Sequence, residues 1–61
     1  MPEFKDLKET RYLGDGVYAG LYSGILWLCT YDGYRITNII ALEQEVLVEF
    51  NHYVGDLNKS R

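Results

Sequence analysis

Residues 25–37, ILWLCTYDGYRIT, decide how this chain folds. The segment Ile25–Tyr31 is almost wholly apolar, and Asp32-Gly33 then stands between two tyrosines. Asp-Gly flanked by strand-forming residues is the strongest short signal for a hairpin, because glycine takes the positive φ that a tight turn requires. A strand with one face on a core and one in water alternates apolar and polar residues. Ile25–Tyr31 does not alternate, so both of its faces need cover.

Working outward, Val17–Tyr22 reads as the preceding strand, ended by Ser23-Gly24. Arg11–Leu13 reads as the first strand, closed by Gly14-Asp15-Gly16, and Tyr34–Ala41 as the fourth. The period then changes. Leu42, Val46, Leu47, Phe50, Tyr53 and Val54 form one stripe at helical spacing, with Gln44, Val48, Asn51 and His52 outside it. Glu43 and Glu45 suit the positive end of a helix dipole, and Gly55 suits a helix C-terminus. The predicted fold is α+β, a four-stranded antiparallel sheet followed by one C-terminal helix (β-β-β-β-α). It forms a single domain over 11–55, with a polar N-terminal arm at 1–10 and a polar C-terminal tail at 56–61.

If both later turns are two-residue hairpins, the register follows by counting outward. Tyr31 then pairs with Tyr34, Cys29 with Ile36, Trp27 with Asn38 and Ile25 with Ile40. Across the other hairpin Tyr22 pairs with Ile25, Gly20 with Trp27 and Tyr18 with Cys29. One face becomes aromatic, with Tyr18, Tyr22, Trp27, Tyr31 and Tyr34, and Gly20 leaves bare backbone beneath the indole. The other carries Val17, Ala19, Leu21, Leu26, Leu28, Thr30, Arg35, Thr37 and Ile39, and suits the apolar stripe of the helix. One helix covers one face. Each aromatic buries roughly 150–250 Å², more in sum than a soluble monomer leaves exposed in one patch. The aromatic face is therefore the expected assembly or partner-binding surface.

Length and composition lead the same way. With 61 residues the chain lies near the lower limit for a self-sufficient core. Its single cysteine, Cys29, rules out an internal disulfide, and with the single histidine, His52, it cannot make a structural zinc site. Oligomerisation to a dimer or tetramer is the remaining staple. The net charge is −3, and Lys5, Lys8 and Arg11 alternate with Glu3, Asp6 and Glu9. That disfavours, without excluding, a nucleic-acid partner, which would want a basic patch. A secretory leader and a spanning apolar run are both lacking in the pattern, so the expected setting is cytoplasmic, with no membrane partner.

The motifs with possible chemistry have plainer readings. Gly14-Asp15-Gly16-Val17-Tyr18-Ala19-Gly20 has the wrong spacing for a dinucleotide fingerprint and precedes a strand, so it reads as a turn. Asp15 and Asp32 are good turn residues, Glu49 and His52 an exposed helical pair, and Cys29 a small buried hydrophobe. Arg35 stands alone among aliphatics and calls for a carboxylate partner. No catalytic constellation, metal site or cofactor site emerges, so a non-enzyme is expected. The alternative is a single-stranded nucleic-acid-binding module that stacks bases on the aromatic face.

RYLGDGVYAG (11–20), YDGYRI (31–36) and NIIALEQEVLVEF (38–50) together resemble a family of very small phage and prophage proteins with a YLGDxVYA opening. One branch of that family looks like a small anti-CRISPR protein. The resemblance implies a PC4-like fold, assembly into dimers and dimer pairs, and inhibition of a host defence nuclease. It also implies an inter-subunit charge pair, matched here by Asp15 and Arg35. The segment before Arg11 departs from the family pattern.

Overall fold

The computed structural model describes Met1–Lys59. A short 3-10 turn, Phe4–Asp6, leads into strands β1 (Lys8–Gly14), β2 (Val17–Tyr22), β3 (Ile25–Tyr31) and β4 (Ile36–Leu42), followed by helix α1 (Gln44–Lys59). The strands form one antiparallel sheet in the order β1-β2-β3-β4. This is the predicted α+β arrangement.

The β2–β3 hairpin has the counted register, with Tyr22 opposite Ile25, Gly20 opposite Trp27 and Tyr18 opposite Cys29. The β3–β4 hairpin does not. Oδ1 of Asp32 accepts the N–H groups of Tyr34 at 2.8 Å and Arg35 at 2.9 Å. The Asp32 N–H also donates to the Arg35 carbonyl at 3.2 Å. These bonds close the connection over Asp32–Arg35 instead of Asp32-Gly33 alone, and a bulge follows between Thr30 and Tyr31. Cys29 consequently faces Ile39 and not Ile36, Trp27 faces Ala41 and not Asn38, and Ile40 faces Leu28 and not Ile25. The offset is odd, so β4 is turned over relative to expectation. Ile39 and Ala41 join the aromatic side, while Asn38, Ile40 and Leu42 join the aliphatic side. Tyr34 and Arg35 belong to the loop and to neither face.

Both ends of the predicted domain also move. β1 begins at Lys8, ahead of the expected Arg11. The helix passes through Gly55 to Lys59, so the expected tail at 56–61 is helical as far as it is described, and Ser60 and Arg61 lie outside the described residues. A glycine inside a helix costs about 1 kcal/mol relative to alanine. Beyond it Leu57 continues the apolar stripe, so helical hydrogen bonding has reason to persist.

The core is very small. Among the described residues the buried apolar side chains classed as core are Leu7, Cys29 and Leu42. No residue of α1 is buried, and only Leu47 and Gly55 are half-buried.

Candidate functional site

Three surfaces carry the residues singled out by the sequence. The first is the aromatic face, and the N-terminal arm lies across it. The ring of Phe4 stacks on Tyr31 with centroids 3.9 Å apart and planes 9° from parallel. It meets Tyr18 edge-on at 5.1 Å. Tyr12 adds a tilted contact with Tyr18 at 4.9 Å, and its hydroxyl oxygen accepts the Gly16 N–H at 3.1 Å. The arm is held in shape locally. Its turn is closed by the Asp6 N–H donating to the Glu3 carbonyl, and by the Glu3 N–H donating to the Asp6 carboxylate at 3.0 Å.

Leu7 is the second anchor. A Cβ placed on Gly20 would come within 2.9 Å of the Leu7 Cβ and 3.3 Å of the Thr10 hydroxyl. Gly20 thus seats Leu7, not the indole of Trp27. The Trp27 Nε1–H donates to the Tyr22 carbonyl at 3.3 Å instead. Cys29, beside this seat, is buried, and burial pushes its thiol pKa up, as expected of a small apolar filler and not of a reactive thiolate. Of the five predicted face residues, Tyr18, Trp27 and Tyr31 are half-buried, Tyr22 is at the exposed margin, and Tyr34 projects from the loop, 93% exposed. Phe4 and Leu7 were missed from the sequence. Their signal was that they are the large apolar side chains beyond Met1 in an otherwise charged arm.

The second surface is the aliphatic face. None of Val17, Ala19, Leu21, Leu26, Leu28 and Ile40 is buried, and Ile40 is 58% exposed. Val17, Ala19, Leu26 and Leu28 are half-buried and Leu42 beside them is buried, but the helix predicted to cover this face buries none of its own residues. Its own stripe stands open as well, with Val46, Phe50, Tyr53, Val54 and Leu57 all exposed. Val46, Phe50, Tyr53 and Leu57 follow the 4-3-4 spacing of a helix seam that packs against another apolar surface.

The third region is the end of the sheet where the β1–β2 turn and the β3–β4 loop meet, joined by the Tyr31 N–H donating to the Gly16 carbonyl at 3.1 Å. Asp15, at φ 51, lies in the first turn and Arg35 in the second. They share an end of the molecule, but the described ion pairs are Lys5–Glu3 and His52–Glu49, both on exposed side chains. Asp32 is the carboxylate that the loop uses. The N–H groups of Arg35 and Tyr34, helped by the Arg35 charge, hold its pKa below the ordinary value.

Among the described residues, no group of three or more His, Cys, Asp or Glu is placed to hold a metal ion. No helix among the described residues is long and apolar enough to cross a membrane. No family model, curated protein or solved structure matches this chain.

Proposed function

We propose that this chain is a non-enzymatic, homo-oligomeric accessory protein of phage or prophage origin that acts by binding and counteracts a host defence nuclease. One observation carries the oligomeric part. The open stripe of α1 and the incompletely covered aliphatic face of the sheet, with Leu21 and Ile40 exposed, are complementary apolar surfaces that the chain does not fully bury within itself. Two copies that exchange helices, each stripe on the other's sheet, would bury both. With a core of Leu7, Cys29 and Leu42 among the described residues, such burial is the natural source of stability. The defence-related part rests on the YLGDGVYA opening, Tyr12–Ala19, and its resemblance to anti-CRISPR proteins. In this reading Asp15 of one copy meets Arg35 of another when dimers pair. Against the base-stacking alternative, Phe4 already stacks on Tyr31 and meets Tyr18 edge-on, so a base stacking at that position would have to displace it.

The test joins mass to activity. Light scattering over a dilution series should give a dimer or tetramer, and the same preparation should reduce plasmid cleavage by a CRISPR nuclease. Phe50→Asp, which puts a charge in the stripe, should weaken self-association by roughly thirtyfold or more, since a central interface aromatic is worth about 2 kcal/mol or more. A monomer at all concentrations rejects the assembly, and undiminished cleavage by a panel of such nucleases rejects the defence role.

A further inference from the structure

The two outer strands of the sheet differ sharply as hydrogen-bonding edges. β1 carries Lys8, Glu9 and Arg11. Its pairing with β2 breaks between Lys8 and Arg11 and again between Tyr12 and Gly14, and Glu9 sits at φ 51. Charge and irregularity are the means by which sheets refuse a further strand. β4, ITNIIAL, has neither a charged residue nor a proline. Its irregularity lies at the loop end, and from Asn38 to Leu42 it pairs with β3 residue for residue. Asn38 and Ile40 are exposed. An edge of this kind presents unpaired N–H and C=O groups at every second residue.

We propose that β4 pairs antiparallel with β4 of a second copy about a two-fold axis, joining two four-stranded sheets into one. This rests on the homo-oligomeric reading above and names a surface for it beyond the helix stripe. The second copy is favoured as occupant by charge. Around a two-fold axis β4 meets itself, so an uncharged strand meets an uncharged strand and the two acidic chains approach where neither carries charge. Side chains opposed across an antiparallel junction point to the same face. Ile40 of each copy, 58% exposed, therefore extends the aliphatic floor of Leu26 and Leu28 across the junction, beside the already buried Leu42.

Amide hydrogen exchange, read residue by residue by NMR on the full chain, tests the pairing at a concentration where light scattering shows association. Consecutive amides from Asn38 to Leu42 should all be protected, while those of β1 alternate between slow and fast. Ile40→Lys, which sets two cations beside the axis, should raise the dissociation constant at least tenfold at low salt and less at high salt. Association with alternating fast amides in β4, or with an unchanged constant in Ile40→Lys, overturns the edge pairing and leaves self-association standing. A monomer overturns both. Protection of β4 in a monomer overturns the pairing as well.

Discussion

The two faces of the sheet are both apolar, yet they are covered by different means. On the aromatic face the N-terminal arm lies over the sheet, with Phe4 on Tyr31 and Tyr18 and Leu7 over Gly20. The aliphatic face, followed by a helix of suitable pattern, is covered only in part, with Leu42 buried, Val17, Ala19, Leu26 and Leu28 half-buried, and Leu21 and Ile40 exposed. Aromatic residues are the commoner furniture of protein interfaces, and by that statistic the assignment should be reversed. The difference lies in reach. The arm enters the sheet through β1 and needs only one turn of 3-10 helix to fold back over its neighbours. The helix leaves β4 at Leu42, and Gln44–Lys59 then continues without burying a residue. Hydrophobic pattern states that a face requires cover; connectivity states which segment can supply it.

The largest effect expected from breaking this contrast is on the covered side. Leu7 is 7% exposed, so Leu7→Ala should cost about 2–4 kcal/mol in chemical denaturation. A cost below about 0.5 kcal/mol would mean that the arm is not part of the fold.

Gly20→Ala attacks the same contact from the sheet. The added Cβ meets the Leu7 Cβ at 2.9 Å, so the arm must shift, at about 1–3 kcal/mol. The Phe4 and Tyr31 ring protons should lose their mutual ring-current shifts in NMR spectra. Unchanged shifts would show that Leu7 and Phe4 are anchored independently.

On the open side, Gly55→Ala should stabilise the chain by about 1 kcal/mol, because Gly55 lies inside α1 and an added Cβ would meet nothing within 4 Å. A loss of stability would reveal a close neighbour in the assembled state, and so would sharpen the comparison.

The smallest effect concerns the loop that turned β4 over. Asp32 has a folded-state pKa below its ordinary value of 3.8. Its hydrogen bonds therefore add stability that is complete above that value and lost as pH falls through the lower, folded pKa. The Tyr34 and Arg35 amide shifts should titrate below pH 3.8 in the folded chain, and Asp32→Ala should abolish that titration.

Much of this was legible in the residues. Ser23-Gly24 between Val17–Tyr22 and Ile25–Tyr31 defines a two-residue hairpin, and its register follows by counting. Asp32-Gly33 looks like the same device and is not. The Asp32 side chain captures two backbone donors further along, and the resulting odd offset moved Asn38, Ile39 and Ile40 to the opposite faces from those expected, while Leu42, expected in the helical stripe, ends β4. Propensity cannot register such a shift, since every residue of β4 remains a good strand former in either register. The seats of Phe4 and Leu7 were not legible for a related reason: two apolar residues stand out in a charged segment but carry no period that says which face they cover.

Local chemistry alone thus determined the element order, the antiparallel sheet, the acidic balance and the want of a sufficient core. These depend on backbone preferences and on composition, which act within a few residues or on the whole chain at once. The tertiary structure decided which face the arm covers, which way β4 turns, how far α1 runs and which apolar surfaces remain open. Each of those depends on a contact between segments distant in sequence, or on one side chain competing for backbone donors, and burial energy is blind to sequence position until the chain has folded.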